Sequence, residues 1–240
     1  MNTKRIDNFI LYRKDFNNIP VFFTDYYEKT FYFQDTFIDN FKKGLNTEYY
    51  ADILSTAIEK IFYNPDLNEL EPERAKKIMK TFTIVPVPAS TKSSHIRRYR
   101  KLFQLISERT GVVNGFNSIW IKYDKNPNHY DRAHSNLNHF GVNYGNIKMP
   151  YRIILIDDIV TSGKSITVVR NKLLNSDEYL KRIRYRKIDG DCRTTILCIC
   201  FKKTLNKYNS KDEDVLINHS NGIIIKKDNG FSMNLPIRNF

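Results

Sequence analysis

The alternation of apolar and polar residues is clearest around positions 153–173. Four apolar residues in a row, Ile153 to Ile156, predict a strand covered on both faces, as in the middle of a parallel sheet. Two acids and a loop rich in hydroxyl groups follow, and Ile166, Val169 and Leu173 then recur at helical spacing. The free N–H groups and the dipole at that helix N-terminus favour an anion. This segment therefore predicts a strand–loop–helix unit with an anion site.

A second unit of the same kind lies upstream. Residues 83–88 predict a short buried strand that ends at Pro86 and Pro88, since proline cannot continue a ladder. A polar loop follows, and residues 95–109 resume helical spacing, with Ile96, Tyr99, Phe103 and Ile106 predicted to face inward. Open α/β sheets place their ligands at the carboxyl ends of such strands. Two repeats of this pattern predict an α/β fold with a mostly parallel central sheet.

The remaining patterns are weaker. Apolar residues on one face predict a helix over 48–62, and three further strands are predicted near 119–121, 194–201 and 223–225. Residues 124–149 are polar and weakly periodic, which is typical of a long functional or mobile loop. We divide the chain into an aromatic-rich N-terminal elaboration packed on the core (1–80), a core (81–203) and a C-terminal extension (204–240). The many N-terminal aromatics are interpreted as core residues.

Composition adds three expectations. The chain has 240 residues and a net charge of +13, which favours anionic partners such as phosphates or nucleic acid. Its three cysteines, Cys192, Cys198 and Cys200, have no CxxC spacing, so neither a disulfide framework nor a zinc site is indicated. No stretch approaches the length of a membrane span. We therefore expect a cytoplasmic protein without a membrane partner.

The loop after the buried strand carries the most specific chemistry. Gly163, Lys164 and Ser165 look like the end of a P-loop, but the first glycine of that motif would fall at Asp158, whose charge would repel the phosphates. Asp157 and Asp158 instead suit a ligand with vicinal hydroxyls, because carboxylates accept hydrogen bonds and can hold a divalent cation through water. The alternative is that the acids only end a strand and that a serine only caps the helix.

The run IILIDDIVTSGKS resembles the phosphoribosyl pyrophosphate (PRPP) motif of type I phosphoribosyltransferases. This resemblance implies a phosphoribosyltransferase-like sheet with helices on both faces, and a site in which Asp157 and Asp158 bind the ribose hydroxyls. It also implies that the 5′-phosphate is bound by the loop Thr161, Ser162, Gly163, Lys164 and Ser165. Ser162 and Ser165 stand where threonine is commoner in the family, and they retain the hydroxyl groups.

The upstream strand IVPVP is similar to the strand of the ComF-like branch of the same family. There the following loop binds pyrophosphate, which implies that role for Ala89, Ser90, Thr91 and Lys92. The branch's Arg-Gly-Phe-Asn element has only a loose counterpart at 95–98, and its N-terminal zinc element is absent. Residues 37–44 faintly resemble the family's lysine-containing early helix. The similarity spans about residues 37–202.

The resemblance implies an enzyme that transfers a phosphoribosyl group from PRPP to a nitrogen nucleophile, which is not identified, and releases pyrophosphate. Mg²⁺ would be the cofactor, held near Asp157 and Asp158 through water or PRPP. A closing loop is expected at 124–149, because water must be excluded from the reacting sugar. Its candidate contacts are Lys125, Arg132, His134 and Lys148; the alternative is a plain surface loop.

A second hypothesis is a non-catalytic or regulatory protein that binds nucleic acid as part of an oligomer or of a larger ribonucleoprotein or defence-type complex. Two basic runs motivate it, with the candidate contacts Arg97, Arg98, Arg100, Lys101, Lys181, Arg182, Arg184, Arg186 and Lys187. Such runs are also typical of solvated faces. A metal site at His129, His134 and His139 is not favoured, because their five-residue spacing places them on no common face.

Overall fold

The computed structural model describes residues 11–27, 35–63, 71–125, 139–149, 152–184, 195–204 and 215–217. Strands and helices alternate through these ranges. Their order is β1 (Leu11–Phe16), β2 (Ile19–Tyr27), α1 (Thr36–Lys42), α2 (Thr47–Tyr63), α3 (Pro72–Met79), β3 (Thr83–Pro86), α4 (Lys92–Thr110), β4 (Val113–Asn114), β5 (Ile119–Ile121), β6 (Phe140–Val142), β7 (Arg152–Val160), α5 (Lys164–Leu174), α6 (Asp177–Arg184), β8 (Thr195–Thr204) and β9 (Val215–Ile217).

A seven-stranded sheet forms the centre of the molecule, in the order β4-β3-β7-β8-β2-β1-β9. The strands from β4 to β2 are parallel to their neighbours, and β1 and β9 are added antiparallel at one edge. Strand β7 lies between two parallel partners, and Ile153 to Ile156 are completely buried. The predicted buried strand and the mostly parallel α/β sheet are therefore confirmed.

Each face of the sheet is covered by its own hydrophobic core. Ile154 and Ile156 point to the face that α1, α2, α3 and α4 cover, whereas Ile153 and Leu155 point to the face that packs against α5, α6 and the β5–β6 hairpin. This division follows from the period of two in a strand, which sends successive side chains to opposite faces. Helices thus lie on both faces of the sheet.

Helix α4 has clear start and stop signals. The Thr91 side chain accepts a hydrogen bond from the Ser94 amide at the N-terminus, and Gly111 ends the helix with φ +76°. The helix therefore begins three residues earlier than the apolar spacing from 95 predicts. Helix α2 agrees closely with the predicted helix over 48–62, since its buried stripe includes Ala51, Leu54 and Ile58.

The structure also differs from the sequence prediction between residues 124 and 149. The predicted polar loop 124–149 contains β6, which pairs antiparallel with β5 from Ile119 to Ile121. Three residues are too few to give a periodic signal, and the pairing partner lies far along the chain. Strand β2, from the N-terminal segment, pairs in parallel with β8 inside the central sheet. The predicted strand at 223–225 lies outside the described residues.

Within the described part of the chain, no helix is both long enough and apolar enough to cross a membrane.

Candidate functional site

The order of the parallel strands defines a switch point between β3 and β7. From β3 the chain continues through α4 to β4 on one side, and from β7 it continues through α5 and α6 to β8 on the other. Because the two connections diverge, a crevice forms at the carboxyl ends of these neighbouring strands, where open α/β sheets bind their ligands. Pro86 is in register with Ile156, and the Val87 amide donates to the Ile156 carbonyl at 2.8 Å. Both predicted loops therefore start at this crevice.

Asp157 and Asp158 stand at the carboxyl end of β7 in different surroundings. Asp157 is buried, and one of its carboxylate oxygens accepts the Asp158 amide at 2.8 Å. Asp158 is partly exposed and accepts the Ile159 amide at 2.8 Å. Its other oxygen lies 3.4 Å from an Arg98 guanidinium nitrogen and 3.7 Å from Lys42 Nζ. The acid pair thus has one enclosed member and one that faces two cations.

Burial decides the ionisation of the inner acid. Desolvation raises the pKa of Asp157 well above its ordinary value, and the neighbouring Asp158 charge raises it further, while Arg98 opposes the shift. The fully buried Tyr99 hydroxyl lies near both acids, and burial, followed by their charges, raises its pKa as well. A buried carboxyl group without a hydrogen-bonding partner is costly to the protein. Asp157 is therefore stabilised by a ligand that offers it a hydroxyl group.

The loop between β7 and α5 exposes most of its side chains. Thr161, Ser162, Lys164 and Ser165 are exposed, and Gly163 is buried with φ +70°. A Cβ at that glycine would stand 2.7 Å from Phe16, so the position accepts no larger residue without movement. The N-terminus of α5 carries no side-chain cap. Its first-turn amides and the surrounding hydroxyls therefore fit an anion such as a phosphate.

The loop after β3 is held in place by the segment that follows β5. Ala89 is buried and Ser90 is exposed. The Lys92 amide donates to the Asp124 carboxylate at 2.7 Å, and the Lys125 amide donates to the Ser90 carbonyl at 2.8 Å. An anion that binds the Lys92 amide must displace the Asp124 carboxylate. The Lys92 amide is therefore available to a ligand anion only when the Asp124 carboxylate gives up its hydrogen bond.

Two buried histidines lie behind this loop, and the sequence patterns did not indicate either of them as part of the site. His139 Nε2 is 3.3 Å from the Ala89 carbonyl oxygen. His95, in the first turn of α4, is 3% exposed and stacks on Phe116, with neither ring nitrogen in a hydrogen bond of ordinary geometry. Burial lowers the pKa of His95 to about 4, although the Ile119 backbone opposes part of the shift. His95 is therefore neutral near pH 7.

The basic residues of α4 do not form one outward-facing group. Arg98, one of the candidate nucleic-acid contacts, turns inward to Asp158, because it lies one helical turn before the buried Leu102. Arg97 is exposed and donates to the Lys42 carbonyl at 3.3 Å. Arg100 is exposed near the Phe116 ring, and Lys101 pairs with Glu48 at 3.5 Å. Helical spacing could have assigned Arg98 to the inner side.

The remaining predicted contacts are scattered. The Lys148 amide donates to the Thr83 hydroxyl, which places this residue at the amino end of β3, at the opposite edge of the sheet from the crevice. Lys181 is exposed on α6. The side chains of Arg132, His134, Arg182, Arg184, Arg186 and Lys187 lie outside the described residues. Among those described, no cluster of three or more histidines, cysteines or acids could hold a metal ion.

Neither a scan against protein-family models nor a search of curated proteins found a match to this chain. The class of this protein is therefore described from its structure, which is an α/β fold with a mostly parallel sheet. An acid pair and two anion-compatible loops meet at the switch point of that sheet.

Proposed function

We propose that this protein binds PRPP and transfers its phosphoribosyl group to a nitrogen acceptor. The observation that carries the proposal is the meeting of two loops at one crevice. The acid pair with its hydroxyl-rich loop leaves β7, and the polar loop 89–92 leaves the neighbouring strand β3. A ligand with vicinal hydroxyls between two phosphate-bearing ends has the chemistry that these groups complement.

Each part of PRPP has a counterpart in the site. Asp157 and Asp158 accept hydrogen bonds from the ribose hydroxyls, and the 5′-phosphate binds at the N-terminus of α5. The pyrophosphate binds along loop 89–92, where its oxygens replace the Asp124 carboxylate on the Lys92 amide. Lys42 lies close to Asp158 and contributes positive charge on the same side.

Mg²⁺ fits this site only as an ion shared with the ligand. The described residues include no group of three protein ligands, but Mg²⁺ commonly uses one or two carboxylates together with substrate phosphates and water. Asp158 is the more accessible carboxylate, and its partners Arg98 and Lys42 compensate its charge. When bound, the ion neutralises the charge that develops on pyrophosphate.

The transfer exchanges one bond for another at the anomeric carbon. The bond from that carbon to the pyrophosphate oxygen breaks, and its electron pair leaves on pyrophosphate. The acceptor nitrogen forms the new bond and loses a proton to solvent. Charge on the departing group is stabilised by the loop amides and by nearby cations, which are already in position before the reaction. Asp157 is buried, so a sugar hydroxyl that binds to it is withdrawn from water.

Incubation with labelled PRPP tests the proposal. The protein is supplied with Mg²⁺ and a pool of cellular small molecules and RNA, and the products are separated. We expect the label to appear on one acceptor with an equal amount of released pyrophosphate. The variant Asp157→Asn/Asp158→Asn serves as the control and should form neither product. Release of pyrophosphate without a labelled acceptor would contradict the transfer reaction.

A further inference from the structure

Trp120 is a large aromatic side chain on the surface of the β5–β6 hairpin. It is 50% exposed, between the buried Ile119 and Ile121. Opposite it in β6 is Gly141, where an added Cβ would stand 2.3 Å from the indole ring. The glycine thus lets one side of the indole rest against the neighbouring strand. One side of the ring packs on the neighbouring strand, and half of the side chain stays open to solvent.

A cleft of about 480 Å³ opens beside the indole. Its polar lining includes Asn143, the backbone of Gly145, Ser176 and Glu178, with Trp120 as an aromatic wall. The volume is within the range of small-ligand sites. A flat ring that enters the cleft can stack on the indole and exchange hydrogen bonds with the polar lining.

Lysines lie around the same hairpin. Lys122 Nζ is 5.6 Å from the Trp120 ring centroid, and Lys172 Nζ is 4.1 Å from the ring centroid of Phe140 in β6. Burial lowers the pKa of Lys172, and the charges of Lys122 and Lys125 lower it further, so the three ammonium groups repel one another. Within the described residues, neither Lys122 nor Lys125 forms an ion pair with a carboxylate. A bound polyanion relieves this repulsion.

We propose that the β5–β6 hairpin is a contact surface for single-stranded nucleic acid, with a base stacked on Trp120 and the phosphate backbone along Lys122, Lys125 and Lys172. Aromatic faces flanked by cations bind single strands with little dependence on sequence. An acidic peptide would satisfy the lysines but would leave the flat indole and the cleft beside it unused. The combination therefore favours a nucleic acid.

This surface is distinct from the two basic runs at residues 97–101 and 181–187. Those runs lie on α4 and in and after α6, and two of the α4 members are engaged with Asp158 and Glu48. The proposal uses no residue of the acid pair or of loop 161–165. Lys125 is the one member that also contacts the proposed pyrophosphate loop, because its amide donates to the Ser90 carbonyl.

Trp120 is the sole tryptophan of the chain, so its fluorescence reports directly on the proposed contact. Titration with an oligouridylate of about 15 nucleotides at low salt should quench the emission, because a base stacks on the indole. Affinity should fall steeply as salt rises, since phosphates displace counterions on binding. A duplex of the same length should bind more weakly. Polyphosphate of matched charge should compete without quenching.

Matched variants distinguish binding at this surface from non-specific attraction to the positive charge of the whole protein. With a labelled oligonucleotide followed by anisotropy, Lys122→Glu/Lys125→Glu should weaken binding by about tenfold or more. Trp120→Leu, which retains bulk but removes the π-face, should weaken it by about tenfold. Lys76→Glu/Lys77→Glu changes the charge equally at exposed positions on α3 and should have a much smaller effect. Circular dichroism confirms that each variant is folded.

The proposal is overturned by any of four results. These are the absence of binding at low salt, binding without a change in Trp120 emission, an equal loss of affinity in both lysine pairs, and quenching by an acidic peptide as strong as that by the oligonucleotide.

Discussion

At the scale of single residues, burial sets the ionisation of two side chains near the crevice, in opposite directions. It raises the pKa of Asp157 and lowers that of His95 to about 4. In both cases the neutral form is favoured, because a low-dielectric environment penalises charge. Asp157 has a clear use in the proposed site, as a hydrogen-bonding partner for a sugar hydroxyl. His95 has a packing role, because its ring stacks on Phe116.

His95 gives a prediction about stability and pH. The folded protein keeps His95 neutral down to about pH 4, whereas the unfolded chain takes up a proton below about pH 6.5. Its contribution is therefore fully present above pH 6.5 and is lost as the pH falls, by about 3 kcal/mol at pH 4. In His95→Phe, which keeps the ring stack, this loss should disappear. Urea unfolding of both proteins across this range measures the difference, and parallel curves would contradict the burial of a neutral His95.

Residues of the site differ in how far the sequence reveals them. Asp157, Asp158 and the loop 161–165 are contiguous, so their spacing alone suggests a phosphate-sugar site. Arg98, Lys42 and Asp124 reach the crevice from α4, α1 and the segment after β5. No local pattern encodes contacts between such distant segments. Their roles therefore emerge only when the chain is folded.

At the scale of elements, the loop before α5 depends on the β1–β2 hairpin. Gly163 lies against Phe16 at the end of β1, and the Asn17 side chain donates to the Thr167 hydroxyl at 2.9 Å. Asn17 and Asn18 form the turn with positive φ angles of 50° and 62°, as tight hairpins require. The conformation of the proposed phosphate loop is thus fixed by a hairpin more than a hundred residues away in sequence.

Gly163→Ala should disrupt this loop. The left-handed backbone and the 2.7 Å approach to Phe16 together predict a loss of about 1–3 kcal/mol in unfolding free energy, with weaker phosphate binding. In a Phe16→Ala background the clash with the ring carbons should vanish, whereas the contact with the Cβ of residue 16 and the backbone strain should remain. Chemical denaturation and phosphate titration measure both effects.

Gly145→Ala is the matched control, because Gly145 has no positive φ and its nearest neighbour is a single side-chain oxygen at 3.2 Å. It should cost less than about 1 kcal/mol. Equal costs at the two glycines would contradict the special role of position 163.

A helix or a strand could be predicted from the sequence where a single apolar pattern extends over several residues. Strand β7 and helices α2 and α4 follow from apolar runs and helical spacing. Strand β6 has three residues, and its existence depends on pairing with β5. Pairing between distant segments is a property of the folded chain and leaves no periodic signal in so short a strand.

At the scale of the whole molecule, the N-terminal segment is part of the central sheet. Strand β2 continues the parallel order next to β8, and Phe22 and Phe23 contribute to the two opposite cores. The aromatic residues at 22 and 23 therefore pack as core, as their apolar character indicates. The division of the chain at residue 80 stays a prediction. What the sequence could not show is the strand order, which places β3 beside β7 and creates the crevice.

The central claim is that this crevice binds one PRPP through the acid pair. Calorimetric titration of the protein with PRPP and Mg²⁺ tests it most directly. The variant Asp157→Asn/Asp158→Asn should lose affinity by about a hundredfold or more, because the charged Asp158 and the buried Asp157 both lose their hydrogen bonds to the ribose hydroxyls. The control Glu71→Gln/Glu73→Gln removes two exposed charges on or next to α3 and should bind like the unaltered protein.

Circular dichroism of all three proteins checks that they are folded. We expect Mg²⁺-dependent binding of PRPP that the acid-pair substitution abolishes and the α3 substitution leaves intact. Unchanged binding in the acid-pair variant would contradict it.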